Sequence, residues 1–384
     1  MDMAERPKKF LKIFSLVLLF LVLSPWSLTP DPLFAAAPNV AQHDFVHRQW
    51  VVKFKQNSLM NRRPFQFATP VVEGEKLYVG VQRALFYAVD TRLGKKLWTF
   101  KTQGPIYAAA RLQGSHVYFA DAKGDVYCLN KDTGDVVWTS KVDAEIVSAP
   151  LLYNNVLYIV SLTKELSAFD AEKGTLLWQV RKPGKEGNFT VMGAADPVFA
   201  SGNILIGYAD GTLVAHDPAN GQILWSRQLG DPSQEFHDVD ATVLLVDKLA
   251  YVSSADGKFY ALDPKTGQIA WQAPMGGVNT AALNGNNLYV TAGGVVYCFL
   301  AQDGQVLWEQ NLETTELSSP AVYEKWLAVV ATKGKIYFLD REKGDILYTY
   351  FVKGGSYGSP IIVGDQLFLL SNASRLYSFQ FKGI

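Results

Sequence analysis

One unit returns seven times along the chain, and it limits the possible folds more than any other feature. Its clearest copy runs from Tyr260 to Trp271. Tyr260, Ala261 and Leu262 alternate as a strand does. Asp263 can accept backbone N–H groups in the turn it opens, and Gly267 allows the reversal. Trp271 is a large apolar anchor on the returning strand. Gly stands four positions after Asp, and the aromatic four positions after Gly. The other copies are Asp90/Gly94/Trp98, Asn130/Gly134/Trp138, Asp170/Gly174/Trp178, Asp217/Gly221/Trp225, Leu300/Gly304/Trp308 and Asp340/Gly344/Tyr348. A period near forty with several short strands in each unit predicts a β-propeller.

Each unit reads as four strands, the aromatic strand being the last. The first strands are expected over Phe67–Val72, Tyr107–Leu112, Ser148–Tyr153, Gly193–Ala200, Val239–Val246, Val278–Leu283 and Ser318–Tyr323. After the seventh unit, Tyr357–Val363, Gln366–Ser371 and Arg375–Phe381 supply three strands and no aromatic partner. The missing fourth strand stands at the other end, where Arg48 to Phe54 alternates around Trp50. The predicted fold is all-β: an eight-bladed propeller of four-stranded blades, the N-terminal strand completing the C-terminal blade. Such closure removes open sheet edges.

The N-terminal region carries an address. Arg6, Lys8, Lys9 and Lys12 precede an eleven-residue run, Ile13 to Leu23, that is apolar except for Ser15. That length suits a signal-peptide core and is short for a bilayer span of about 20 residues. Ala35-Ala36-Ala37 offers small residues for cleavage, so residues 1–37 are expected to be a signal peptide and 38–384 the propeller. Retention of residues 13–28 as an anchor is the alternative, and Pro25 opposes a clean helix there. No Cys follows the apolar run, so no lipid-modified cysteine is expected. Lys plus Arg and Asp plus Glu stand at 36 each, which leaves no electrostatic footprint for nucleic acid.

Cys128 and Cys298 sit two residues before the Asp position of their units, where other units carry Ala88, Ala168, Ala215 and Ala261. They read as small buried residues, far apart in a closed ring rather than a disulfide or metal pair. His43, His47, His116 and His216 read as structural or solvated, and no Ser-His-Asp set stands out. The repeated tryptophans, Trp98, Trp138, Trp178, Trp225, Trp271 and Trp308 with Trp50, read as inter-blade packing rather than a ligand platform.

Three connections from an outer strand to the next inner strand are long: Lys55–Gln66 with Arg62 and Arg63, Arg181–Phe189, and Gly230–Asp238. All three cross the same face of the disc, where excess loop on a rigid scaffold serves binding. Asp238 and Asp240 admit three readings. They can accept hydrogen bonds within the loop. They can meet a basic partner beside apolar Phe189, Val191 and Met192. Or they can join His237 around a metal ion.

The Ala-x-Asp, Gly, Trp grammar resembles the tryptophan-docking repeat of the pyrroloquinoline-quinone-type propellers, across nearly all of residues 48–381. That family divides into quinone-dependent dehydrogenases and non-enzymatic scaffolds. The eight-bladed layout with a closing tryptophan strand resembles the outer-membrane barrel-assembly branch. Asp238-Val239-Asp240 is similar to the Asp-Val-Asp loop of that branch. Phe189-Thr190-Val191-Met192-Gly193 keeps the apolar character of its neighbouring loop and lacks the arginine. The resemblance implies a non-catalytic periplasmic scaffold, without cofactor or metal, possessing a docking face for the periplasmic domain of the outer-membrane barrel-assembly protein. Membrane association would then come through that partner or an uncleaved N-terminal segment. The dehydrogenase branch implies a vicinal cysteine pair, an acidic base and Ca²⁺ ligands at the ring centre, and two isolated cysteines depart from that pattern. A propeller enzyme binding a quinone or small molecule, or a propeller recognising another envelope protein or glycan, are the alternatives.

Overall fold

The computed structural model describes residues 46–54, 66–184, 195–234, 237–239, 241–255, 257–275, 277 and 279–382. These residues form eight four-stranded antiparallel sheets arranged as the blades of a propeller, with no helix among them. Blade one comprises Val71–Glu73, Lys76–Val81, Leu85–Asp90 and Lys96–Lys101, from the axis outwards. Blades two to seven repeat that order. The leader expected over residues 1–37 lies outside the described residues.

The eighth blade is assembled from both ends of the sequence. Ile361–Val363, Gln366–Ser371 and Arg375–Phe381 are completed by Val46–Lys53 as the outermost strand. Val46 pairs with Phe381 and Lys53 with Arg375. Phe54 then continues past the seam and stacks on Tyr87 of blade one, ring centroids 4.2 Å apart. On the other side Arg48 donates to the Tyr350 hydroxyl of blade seven at 2.9 Å.

The two middle strands of each blade hold the core. Leu77, Val79 and Val81 with Phe86, Ala88 and Val89 are all buried. Apolar residues on both pleat faces of one strand make sense only where each face meets another blade. Clusters therefore bridge blades: Phe86 of blade one stacks on Phe119 of blade two at 3.9 Å. Tyr153 and Phe199 make the same contact between blades three and four at 3.5 Å.

The innermost strands differ from the sequence expectation of about six residues. In every blade only three residues pair, such as Leu151–Tyr153 and Ala321–Tyr323. Five of these strands follow a proline directly: Pro70, Pro150, Pro197, Pro320 and Pro360. Proline has no N–H for the ladder, so pairing starts after it. The residues before the prolines run toward the axis instead.

Each outer strand carries a β-bulge immediately before its aromatic. Ala88 faces Trp98 while Val89 faces Lys96, so Leu97 is the extra residue. The same shift places Val137, Leu177, Leu224, Ala270, Leu307 and Leu347 as extra residues. It recurs in the closing strand, where Gln49 is extra and Trp50 faces Ser378. A bulge bends and twists its strand, and here it turns each aromatic toward the following blade. Trp98 lies against Gly134, Trp138 against Gly174 and Trp50 against Gly94. Their indole N–H groups donate to Lys131, Ala171 and Thr91 carbonyls at 2.9–3.0 Å. Trp178, Trp225, Trp271 and Trp308 meet Gly221, Gly267, Gly304 and Gly344 in the same way.

The position opposite each aromatic is small in most blades, and Cys128 and Cys298 fill it opposite Trp138 and Trp308. Both thiols are fully buried, in different blades. Burial raises their pKa to about 12 for Cys128 and about 11 for Cys298. Each thiol therefore stays protonated and shielded near neutrality. A disulfide-exchange reagent at pH 8 is expected to label neither cysteine in the folded protein and both after denaturation. Fast labelling of native protein would contradict this packing.

Candidate functional site

The connections that enter blades four and five lie at the face crossed by every outer-to-inner connection. The end of the second one is laid down on blade four by glycines. A side chain at Gly207 would overlap the Val239 carbonyl, and one at Gly230 would overlap the His237 carbonyl. Absence of a Cβ lets the backbone approach this closely. Val239 N–H donates to the Tyr208 carbonyl at 3.1 Å, and Ala255 N–H donates to the Asp238 carbonyl at 2.8 Å. Residues 237–239 are thus stitched to blade four on one side and blade five on the other. His237 donates its Nδ1 proton to the Gln234 carbonyl at 2.8 Å.

Asp238 is 0% exposed. The aspartate expected to dock a partner at this position is thus buried within the chain, which suits the reading that it accepts hydrogen bonds inside the loop. Val239 is equally buried and joins the core cluster with Leu229, Val243 and Val252. Asp240, Phe189, Val191 and Met192, the other expected docking residues, lie outside the described residues, as do Arg62 and Arg63. For the metal reading, His237 is buried with one ring nitrogen engaged, and Asp240, the third expected ligand, lies outside the described residues.

The first connection begins at a charge cluster that the sequence reasoning missed. Lys182 and Lys164 both donate to Asp210 Oδ2, at 2.6 and 3.0 Å. Thr212 adds a hydroxyl donor to Oδ1 at 2.6 Å. Burial would raise the Asp210 pKa, but the hydrogen bonds from Lys182, Thr212 and Lys164 outweigh it and hold the carboxyl at about 2. Lys182 also lies over the Tyr208 ring, 5.4 Å from its centroid. Tyr208 donates to His216 Nε2 at 3.0 Å, and His216 Nδ1 donates to the Gly221 carbonyl at 2.8 Å. Desolvation lowers the His216 pKa, so the imidazole stays neutral in this chain. The cluster fixes Lys182 where the chain leaves toward residue 185. Lysine at positions 164 and 182 was visible in the sequence, but nothing local pointed to Asp210.

Neither cysteine lies at the ring axis, so the residues present do not match the quinone-dehydrogenase pattern of paired thiols over a cofactor. What the face offers is a rigid frame carrying extended connections, an arrangement suited to recognising a macromolecule. The fold defines an eight-bladed propeller whose blades are docked by tryptophans.

A family described as "Outer membrane protein assembly factor BamB" matches residues 82–293 and 292–383. The chain belongs to that family. It is similar to the outer membrane protein assembly factor BamB of Legionella pneumophila (strain Paris), with 25% identity over 196 residues. That match covers 49% of this chain and 51% of the relative. The chain thus spans about half the length of the curated relatives it matches. The crystal structure of BamB from Moraxella catarrhalis superposes with a TM-score of 0.76 at 19% identity, covering 88% of this chain and all of the other. Quinohemoprotein alcohol dehydrogenase from Comamonas testosteroni gives a TM-score of 0.71 at 14% identity, covering 89% of this chain and 77% of that one. These two likenesses establish a shared fold.

Proposed function

We propose that the chain is an exported, non-catalytic scaffold that docks the periplasmic domain of the outer-membrane barrel-assembly protein. Export rests on residues 1–37 acting as a signal peptide ahead of a propeller over 38–384. It places the protein in the periplasm, peripheral to the outer membrane through its partner. The observation that carries this reading is the family match across both halves of the ring. The glycine-seated connection into blade five supports it by supplying a fixed platform at the face with the longest loops. Asp240 and the apolar residues Phe189, Val191 and Met192 meet the partner, and Asp238 holds the loop from inside.

Single substitutions separate these roles. Asp240→Ala is expected to weaken partner binding about tenfold, or roughly 1.4 kcal/mol, with an unchanged melting temperature. Asp238→Ala removes a buried polar group and is expected to cost about 1–3 kcal/mol of fold stability, with binding weakened as a consequence. Calorimetric titration and thermal melts of both variants check this. Equal stability loss in both would assign the pair a purely structural role. Unchanged binding in both would remove them from the interface.

A further inference from the structure

The eight segments that precede the innermost strands converge on the axis and leave a cavity of about 450 Å³ there. Every blade contributes to its wall, from Thr69 of blade one to Tyr357 and Ser359 of blade eight. Its volume falls within the range of small-molecule sites, roughly 300–1,000 Å³. We propose that this axial cavity binds a neutral, polyhydroxylated ligand, a saccharide of two or three sugar rings.

Three features of the wall carry the proposal. The first is aromatic. Phe67 stands between Tyr107 and Tyr357, with centroids 6.2 and 5.3 Å away. All three are only part-buried, which leaves ring surface toward the cavity for the C–H faces of a sugar.

The second is the pairing of charges. Arg111 and Asp196 are the only charged side chains among the described lining residues. Asp196 comes from blade four and Arg111 from blade two. Asp196 Oδ1 accepts the Ala149 N–H of blade three at 2.7 Å. Its Oδ2 stands 3.7 Å from Arg111 Nη2, an ion pair longer than a good hydrogen bond. Carboxylate and guanidinium are thus held side by side with hydrogen-bonding capacity in reserve, an acceptor and a donor suited to adjacent hydroxyls. Burial raises the Asp196 pKa while Arg111 and the Ala149 N–H oppose that rise, and a single carboxyl is a poor cation site.

The third feature is the remaining wall. Thr242, Thr280 and Ser319 supply hydroxyls between small apolar residues. Hydroxyls donate and accept, as a sugar ligand requires.

The test uses the full-length protein and two neutral probes, maltotriose and N,N′,N″-triacetylchitotriose. Saturation-transfer NMR and calorimetry are expected to give saturable binding of at least one probe, in the micromolar to millimolar range. Signal should concentrate on ring C–H protons. Tyr107→Ala and Arg111→Lys are each expected to weaken binding about tenfold, or 1.4 kcal/mol. Should Tyr107→Ala lower the melting temperature, Arg111→Lys decides, because it keeps the charge and loses only the planar fork. Failure of both probes to bind at about 10 mM would overturn the proposal. So would affinity unchanged in the variants, or binding of pyrroloquinoline quinone in place of the sugars. Partner docking is read separately, so neither result decides the other.

Discussion

Removing residues 46–54 is expected to lower the melting temperature by more than about 10 °C, taking about 2 °C per kcal/mol for a domain this large. These residues bury Val46, Val52 and Phe54. At about 1.5–3 kcal/mol for each buried side chain, the loss is about 4.5–9 kcal/mol before any hydrogen bond is counted. Phe54 also packs with Tyr87 under the Lys96 ammonium, and Trp50 with Gly94, so the seam between blades eight and one opens as well. The strand Arg375–Phe381 becomes an open apolar edge, which favours aggregation. Thermal melts and light scattering of the shortened chain check this. A synthetic peptide spanning residues 44–55 should restore much of the loss. A melting temperature within about 2 °C of the intact chain would show that blade eight does not depend on its outermost strand.

The second large effect is expected at a turn glycine. Gly174 has φ of +71°, and a Cβ there would come within 2.5 Å of the Trp138 ring. Gly174→Ala combines left-handed strain of about 1–2 kcal/mol with overpacking of about 1–3 kcal/mol. Gly114 provides the control: its φ is +56°, and nothing lies within 4 Å of its missing Cβ. Gly114→Ala carries the strain alone. Denaturant melts should therefore show Gly174→Ala as the costlier substitution by about 1–3 kcal/mol. Equal losses would mean that the indole yields freely and that Trp138 does not lock blade two to blade three.

The sequence made the ring legible because each repeat states its own turn and anchor. Asp263, Gly267 and Trp271 announce a hairpin within twelve residues, and a Trp50 strand without a preceding turn, set against three C-terminal strands without an aromatic partner, exposed the closing strand. The bulge before each tryptophan was not legible. Leu97 and Trp98 read as simple alternation, and only the pairing of Val89 with Lys96 shows the extra residue. The short inner strands were foreshadowed by the prolines at 70, 150, 197, 320 and 360, a signal the alternation of apolar residues concealed.

The site was less legible because it is made by distant segments. Asp238 looks like a loop charge until Gly207 and Gly230, which draw the flanking backbone onto blade four, are seen beside it. The axial wall takes between one and four residues from each blade. Its clue was nevertheless present: Asp196 is the one charged residue among those preceding the five prolines, and Arg111 the one charged residue opening an inner strand. Both depart from their repeats, and the fold brings them together.

The central claim is that this propeller is a docking scaffold. Its most direct test is calorimetric titration of residues 42–384 with the soluble periplasmic domain of the host's own barrel-assembly protein. The account predicts saturable one-to-one binding with Kd at or below about 10 μM, weakened about tenfold by Asp240→Ala. No saturable heat up to about 100 μM, equivalent to roughly −5.5 kcal/mol, would contradict it.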